Sequence, residues 1–520
     1  MPLARWLSGL TGWKRALVLA ALGSLATLAL PPAGLFPLLF LVFPALLWVL
    51  DGARTRWQAF FTGWLSGLVH FVLGLYWISF SLFTDIARFW WVLPLSVGGL
   101  PVLLAVFTGL ATLVTFMAGQ RGIARILVFA TAWSAGEWLR GHLFTGFPWS
   151  LTAYAWVDIP PVLQSVAWIG SYGLGLLTVA LASLPALTGW FSLRDRRVLV
   201  PVSAGIIVAV LVTGVGLWRL SGAGEQAPMV PGVMLRLVQP AIAQTLKWDP
   251  AVQAANLRTQ IDMSQATSPR LPTVVIWSET AVPWVLNEQP DLRKTLADAA
   301  PPGGVLLTGA LRTQIQEGQK HFYNSVFVLD GQGNIIATAD KFHLVPFGEF
   351  IPFREYLPVD PVAAGATNFS RGPGPVTVSV PGLPPFSPLV CYEAIFPGDV
   401  ASRGSRPQWL LNVTNDAWFG ISAGPWQHFA IARVRAVEEG VPLVRVANTG
   451  ISGVVDPWGR IVTRSRLGTV EILESGLPQA LQDGPIFARY GNKVYGIMLL
   501  MTVLFTIAGV VNRGRNKKST

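Results

Sequence analysis

The sequence predicts a polytopic α-helical membrane protein into which an α/β domain has been inserted. Three observations carry this expectation. Apolar residues make up 52% of the 520 residues and charged residues 12%, with a mean hydropathy of +0.50. Ala16 to Leu50 runs 35 residues without a charge, enough for two crossings at about 20 residues each. Charge is also segregated: residues 1–219 carry a net +8, residues 220–488 a net −3 and residues 489–520 a net +6. The same composition excludes disordered and collagen-like chains, and a single cysteine excludes an intramolecular disulfide framework. The pI of about 10.1 does not point to nucleic acid. The basic excess flanks apolar runs, whereas a phosphate-neutralising face would have to lie on the polar domain, which is slightly acidic.

Eight spans are predicted, in chain order. Ala16–Leu50 breaks at Pro31-Pro32-Ala33-Gly34 into two helices, and further spans fall at about 57–83, 90–118, 122–140, 161–190, 198–219 and 494–512. Basic residues orient them. Arg5, Lys14 and Arg15 place the N-terminus in the cytoplasm. Arg54 and Arg56, Arg121 and Arg125, and Arg194, Arg196 and Arg197 then share that side, as do Arg513, Arg515, Lys517 and Lys518. The layout is therefore a seven-span domain over 1–219, an extracytoplasmic domain over 220–488, and an eighth helix with a basic cytoplasmic tail over 489–520. A cleaved signal peptide is the competing reading of the first segment; further spans follow at once and no small-residue cleavage site stands out. Fifteen of 22 tryptophans lie in residues 1–219, which suits interfacial anchoring. His70 and Glu137 are ionisable groups inside spans, where such groups are expensive. Glu137 and Arg140, three apart on a helix, could pair with each other; a structural pair weighs at least as much as a catalytic role, so His70 and Glu137 stay out of the candidate site.

Residues 220–488 alternate β-rich runs with helical patterns, as a layered α/β domain does. Strands are expected at Val233–Val238, Thr273–Trp277, Val305–Leu311, Asn324–Leu329, Asn334–Ala339, Pro388–Val390, Trp409–Val413 and Pro442–Ala447. A last hairpin runs through Val454–Asp456 and Arg460–Val462. Helices are expected at Pro250–Ala266 and at Gln427–Glu439, the latter stopped by Gly440. Several strands end in an abrupt polar group: Ser278-Glu279, Asp340-Lys341, Cys391-Tyr392-Glu393 and Thr414-Asn415-Asp416. Ligands gather at one set of strand ends in such folds, so one cleft is expected to hold a carboxylate, an amine and a thiol.

Cys391 is either a nucleophile or a small buried hydrophobe; its place at a strand-to-helix turn, beside free backbone N–H groups, favours the first. Glu279 is the candidate general base, with a pKa raised by an apolar cleft. A solvated turn residue is the plainer alternative, weakened by the apolar Ala281-Val282-Pro283-Trp284 that follows. Lys341 would stabilise the thiolate and an oxyanion together with a backbone N–H near Tyr392, and Glu349 would orient it. The five histidines and one cysteine show no metal-ligand spacing, so neither metal nor cofactor is expected.

The Glu–Lys–Cys order resembles the nitrilase, or carbon–nitrogen hydrolase, superfamily. With eight spans around it, essentially the whole chain resembles the bacterial apolipoprotein N-acyltransferase family. The matching stretches are Val238-Gln239-Pro240 through Leu246-Lys247-Trp248, Trp277-Ser278-Glu279-Thr280-Ala281, Lys341 through Glu349, and Val390-Cys391-Tyr392-Glu393. Gly146-Phe147-Pro148-Trp149 also fits. The resemblance implies an αββα sandwich and a ping-pong acyl transfer. Cys391 would take an acyl chain from the sn-1 position of a phospholipid, with phosphatidylethanolamine the expected donor. It would then pass the chain to the α-amine of a diacylglyceryl-cysteine on an apolipoprotein. The resemblance further implies supporting roles for Trp248, Glu349, Tyr392, Glu393 and Trp149, a monomer, and a bacterial inner membrane location with the catalytic domain periplasmic.

Three other readings remain open on the residues alone: a membrane-tethered amidase, a transporter with a large outer domain, and a scaffold in which Cys391 is core. The aromatic stretches Phe347–Phe353 and Trp418–Trp426 are candidate lids that dip into lipid. Replacing their aromatics is expected to weaken turnover of a lipid substrate more than it weakens folding; unchanged kinetics would refute the lids.

Overall fold

The computed structural model describes residues 2–352 and 368–516, with side chains as far as residue 506. The chain divides into two compact units. One comprises Met1–Tyr76, Trp91–Gly222 and Ile486–Thr520; the other comprises Trp77–Trp90 and Ala223–Pro485.

The first unit is helical. Its main helices are Gly12–Leu28, Leu39–Asp51, Arg56–Leu75, Leu100–Met117, Ile123–His142, Val166–Ser183, Arg196–Ser221 and Lys493–Asn516. Start signals lie in the sequence: the Thr55 hydroxyl accepts from Gln58 N at 3.2 Å and Asp195 Oδ1 from Arg197 N at 2.8 Å. Among the described residues, four segments are long and apolar enough to cross a membrane: Arg56–Val92, Leu95–Met117, Val166–Trp190 and Arg196–Ser221. Phe36–Asp51 and Lys493–Thr506 are apolar but shorter, Gly12–Leu28 has 17 residues, and Ile123–His142 carries Arg125, Glu137 and Arg140. The expected tail residues Lys517 and Lys518 lie outside the described residues.

Small residues let these helices approach closely, as lipid-embedded helices require. A β-carbon on Gly63 would lie 2.2 Å from Thr108 O, and one on Gly67 2.0 Å from Thr108 Oγ1. Thr108 Oγ1 donates to Gly63 O at 3.1 Å and Thr112 Oγ1 to Ala59 O at 2.8 Å, tying Arg56–Leu75 to Leu100–Met117. Glu137 and Arg140 act on each other electrostatically as expected, and each also takes hydrogen bonds elsewhere. Glu137 Oε1 accepts from Thr152 N and Oγ1 at 2.9 and 2.6 Å, while Arg140 donates to the carbonyls of Phe147 and Trp149 at 2.7 and 2.5 Å. Both side chains pin one loop, because its carbonyls and N–H groups are buried and need partners. With His70 they also line a cavity of about 40 Å³.

The second unit is an α/β sandwich of two sheets. Its strands are β1 (Met229–Gln239), β2 (Val274–Ile276), β3 (Val282–Val285), β4 (Val305–Gln316), β5 (Gln319–Asp330) and β6 (Ile335–Asp340). Then follow β7 (Phe386–Val390), β8 (Trp409–Thr414), β9 (Leu443–Ala447), β10 (Gly453–Val455), β11 (Ile461–Arg464) and β12 (Glu471–Pro478). One sheet has the order β12-β1-β2-β4-β5-β6, with β3 beside β4; the other has the order β11-β10-β9-β8-β7. β1, β2 and β4 form the parallel centre of the first sheet between antiparallel margins, whereas in the second sheet β7, β8 and β9 are parallel out to the β7 edge and β10 and β11 are antiparallel. Parallel strands buried on both faces read as continuous apolar runs, which is why Val274–Ile276 and Trp409–Val413 stand out in the sequence. Helices Gln253–Ser264 and Pro290–Ala297 set Leu257, Ile261 and Leu296 against Trp277, Leu306 and Phe327. Helix Ala423–Glu439 sets Phe429, Ala432 and Ala436 against Leu389, Leu410 and Leu443, and ends at Gly440 with φ +65°.

The structure adds β3, β12 and helix Pro290–Ala297 to the predicted elements. β3 is four residues containing Pro283, and β12 interrupts its apolar pattern with Glu474, Ser475 and Gly476, so neither has a clean period. The predicted span 57–83 lies within the apolar helical segment Arg56–Val92, whose α-helix passes into a tighter helix after Leu75. From Trp77 the chain turns into the second unit: Trp77 Nε1 donates to Gln427 Oε1 at 3.0 Å, its ring meets Phe419 at 4.4 Å, and Phe80 lies against Gly420. The stretch Trp418–Trp426 is therefore packed rather than free. Phe419 rests on Trp77 and Trp426 on the helix-covered core, with Ile421 exposed.

Gly309 in β4 marks a close crossing beside Glu279. A β-carbon there would lie 2.4 Å from Thr280 N and 2.7 Å from Glu279 Cα. Gly309→Ala is expected to cost about 1–3 kcal/mol through overpacking, measured as a lower midpoint of thermal unfolding in detergent.

Candidate active site

The carboxyl ends of the parallel strands converge, as expected for a ligand site in such a sheet. β2 leads through Trp277 and Ser278 to Glu279. β7 ends at Val390 and passes directly into a tight helical turn, Cys391–Ile395. β8 ends at Thr414 and is followed by Asn415. Antiparallel β6 delivers Asp340 and Lys341.

Glu279 is buried and its carboxylate is fully engaged. Oε1 accepts from Asn324 Nδ2 at 2.8 Å and Lys341 Nζ at 3.4 Å; Oε2 accepts from Asn415 N at 2.9 Å. The Cys391 thiol lies beside this carboxylate and helps lower its pKa. Burial pushes the Glu279 pKa up, but Lys341 and Lys247 outweigh it and hold the group below the usual carboxylate range. This corrects the expectation of a raised pKa. An apolar cleft alone would raise it; two neighbouring ammonium groups reverse the sign.

Lys341 is 1% exposed. Nζ donates to Glu349 Oε1 at 2.9 Å as well as to Glu279. Burial disfavours its charge, yet Glu349 and Glu279 hold its pKa well above the ordinary lysine value. Glu349 Oε1 also accepts from Asn324 Nδ2 at 3.1 Å, and Oε2 from Val345 N at 2.9 Å, so the Lys341–Glu349 loop is closed on itself around the ammonium.

Cys391 is buried, with φ +55°, a left-handed conformation that costs a non-glycine residue energy and is characteristic of functional turns. Burial, then the Glu279 charge, push the thiol pKa up, while Lys341 pulls it down. The resting sulfur is therefore protonated beside an ionised carboxylate. Glu393 clamps this turn to the lysine loop: Oε2 accepts from Val390 N at 2.6 Å, and Oε1 from Phe342 N and His343 N at 2.5 and 2.9 Å. Burial raises its pKa to about 7 against the pull of those N–H groups. Tyr392 is buried, its hydroxyl donating to Leu344 O at 3.4 Å, and burial raises its pKa. The first N–H groups of a helical turn have no acceptor inside it, which leaves the Tyr392 N–H as the expected oxyanion donor beside the sulfur.

The structure thus brings Glu279, Lys341, Glu349, Cys391, Tyr392 and Glu393 together. Trp248 is half-buried and follows Lys247. Trp149 belongs to the helical unit, buried and stacked on Phe147 at 5.9 Å. Phe347 is exposed, and Phe353 lies outside the described residues.

Three participants carry no assigned role in the sequence reading. Lys247 Nζ donates to Glu279 O at 2.8 Å, and burial lowers its pKa to about 8 against the pull of Glu279 and Cys391. Asn324 bridges the two carboxylates, and Asn415 supplies its backbone N–H. The signal for Asn415 was present in the polar end of β8. Asn324 lies inside β5 and only the fold turns it to the carboxylates.

Comparison with known proteins agrees with this division of the chain. The family model for the apolipoprotein N-acyltransferase N-terminal domain matches residues 22–184, and that for carbon–nitrogen hydrolase matches residues 235–481. The chain is 38% identical over 527 residues to an apolipoprotein N-acyltransferase of Brucella melitensis, covering 98% of each chain. It is 40% identical to that of Bradyrhizobium diazoefficiens, covering 95% of each, and 41% identical to that of Allorhizobium ampelinum, covering 88% of this chain and 89% of the other. Among solved structures, an amidase from Nesterenkonia sp. AN1 aligns at 20% identity and a TM-score of 0.35, covering 49% of this chain and 93% of the amidase.

With Glu279 ionised and the thiol raised, iodoacetamide labelling of Cys391 is expected to be slow at pH 7 and to climb as pH rises. Glu279→Gln removes a negative charge that raises the thiol, so its labelling profile should move to lower pH. Intact mass reads this directly on a chain with one cysteine; a profile that stays put or moves to higher pH would refute the arrangement.

Proposed function

The chain belongs to the apolipoprotein N-acyltransferase family, and from that premise we propose a two-step acyl transfer through a thioester on Cys391. The donor is the sn-1 ester of a membrane phospholipid, with phosphatidylethanolamine the favoured headgroup. The acceptor is the α-amine of the diacylglyceryl-cysteine at the N-terminus of an apolipoprotein. The observation that carries this reading is the ionised Glu279 carboxylate on a protonated, buried Cys391 thiol, with the Lys341 ammonium on the same carboxylate.

In the first step Glu279 takes the thiol proton as the sulfur lone pair attacks the ester carbonyl carbon, and the carbonyl π electrons move to oxygen. Lys341 and the Tyr392 N–H stabilise that oxyanion. The tetrahedral intermediate collapses by breaking the bond to the glycerol oxygen, which takes its proton from Glu279 and leaves as a lysophospholipid. In the second step Glu279 removes a proton from the attacking amine, a C–N bond forms, the C–S bond breaks, and the sulfur recovers its proton from Glu279. Splitting ester-to-amide exchange this way puts a good nucleophile and a good leaving group in one atom.

Both substrates are lipid-anchored, so the cleft must sit at a bilayer face. The reading therefore includes eight spans in the bacterial inner membrane, both termini cytoplasmic, and a periplasmic catalytic domain over 220–488 in a monomer. The four long apolar segments and the basic clusters beside the spans support it. Trp149 and Trp248 are proposed to support substrate binding.

Incubation with a diacyl phospholipid is expected to add one fatty-acyl mass to the protein, removed by hydroxylamine and absent from Cys391→Ala. A folded protein with an intact thiol and no adduct would turn the reading toward a hydrolase of small amides.

A further inference from the structure

A buried polar network lies behind the nucleophile, and no step above uses it. Thr414 closes β8, and the β7–β8 register pairs Val390 with Val413, which sets Thr414 beside Cys391. Its hydroxyl lies close enough to the Cys391 thiol to pull the thiol pKa down, and it donates to Asp416 Oδ1 at 3.0 Å. Asp416 does not depend on that donor. His428 Nδ1 lies 2.9 Å from Oδ1 and Arg445 donates to Oδ2 at 2.8 Å, with Asp416, His428 and Arg445 all fully buried. Arg445 also donates to Asn412 Oδ1, and Asn412 Nδ2 donates in turn to Cys391 O at 3.0 Å and Leu389 O at 3.2 Å. The packing leaves no slack: a β-carbon on Gly450 would fall 2.3 Å from Asp416 Oδ2.

A hydroxyl has one proton to donate. While the sulfur is protonated and turned to Glu279, that proton sits on Asp416. Once Glu279 has taken the thiol proton, the sulfur is an anion with a hydroxyl at its side, and Asp416 still has the Arg445 donor on Oδ2 and His428 Nδ1 beside Oδ1. We propose that Thr414 is a further catalytic residue, whose O–H rotates from Asp416 to the Cys391 sulfur as the thiolate forms and returns when the thioester is made. Asp416 is the positioning residue that parks the proton, and Arg445 and His428 let it be given up without stranding a buried carboxylate. No bond other than hydrogen bonds changes in this motion. The inference rests on Cys391 being the acyl-accepting nucleophile.

The charged groups acting on Cys391 are Glu279, Lys341 and Asp416, with Lys247 coupled to it from the opposite partner's side. The test leaves all four in place. Thr414→Val, Thr414→Ala and Thr414→Ser are made in the full chain. Three quantities are followed: the rate of acyl-enzyme formation with a diacyl phospholipid, the pH profile of iodoacetamide labelling, and the thermal midpoint. Loss of a hydrogen bond to a charged group corresponds to about a tenfold to hundredfold slowing. That slowing, with a labelling profile displaced to higher pH, is expected for Thr414→Val and Thr414→Ala, and Thr414→Ser should restore both. A merely structural threonine would lower the midpoint and leave the labelling profile of the folded fraction unmoved, which overturns the proposal, as does failure of the serine variant to restore it. Labelling needs no lipid. A wild-type enzyme that acquires no acyl group would therefore sink the proposed reaction while the labelling profiles still decide the role of Thr414.

Discussion

An ammonium group withdrawn from water is tolerated only where opposite charge and hydrogen bonds replace its hydration. Lys341, almost wholly buried, meets that requirement with Glu279 and Glu349, and Asn324 holds both carboxylates in place. Much of the catalytic unit can be read as a frame for this cluster. β2, β5 and β6 bring in its members, and the loop from Lys341 to Glu349 folds back on Val345 to close it. Glu393 then fastens that loop to the turn bearing Cys391 through three backbone N–H groups. Removing one partner of such a cluster costs about 3–5 kcal/mol, so stability and reactivity are lodged in the same few side chains.

In the proposed reaction the cluster also decides the direction of proton flow. An isolated carboxylic acid in an apolar cleft would be neutral and useless as a base. Here two ammonium groups keep Glu279 ionised while burial keeps the sulfur protonated, so the carboxylate rests ready to accept the thiol proton. Moving the thiol proton to Glu279 transfers negative charge by one atom's reach within a field already arranged to receive it, and little reorganisation is required.

Much of this was legible in the amino-acid sequence. Continuous apolar runs marked β2, β7, β8 and β9, and the polar residues that end them named Glu279 and Cys391 before any coordinates. Lys341 and Glu349, eight residues apart, were readable as one unit. What escaped has a common cause. Asn324 sits mid-strand and acquires its role from the antiparallel pairing of β5 with β4 and β6. The sign of the Glu279 shift reflects Lys341 first and then Lys247, which come from different parts of the chain. β3 and β12 lack a periodic apolar face because pairing to β4 and β1 fixes them. Local pattern reports burial and strand ends; it does not report which distant side chain arrives there.

The segment Trp77–Trp90 lies in the sequence between helices Arg56–Leu75 and Leu100–Met117 yet packs with the catalytic unit, where Trp77 covers Phe419 and Gln427 and Phe80 fills the space over Gly420. The unit is therefore discontinuous in the gene's reading order. A fragment cut at residues 223 and 485 would look complete by its strands and carry every charged group of the cluster. It would nonetheless present a raw aromatic surface at the start of the helix that bears His428. Excision of the catalytic unit between residues 223 and 485 thus leaves Phe419 and Gln427 without their contacts to Trp77.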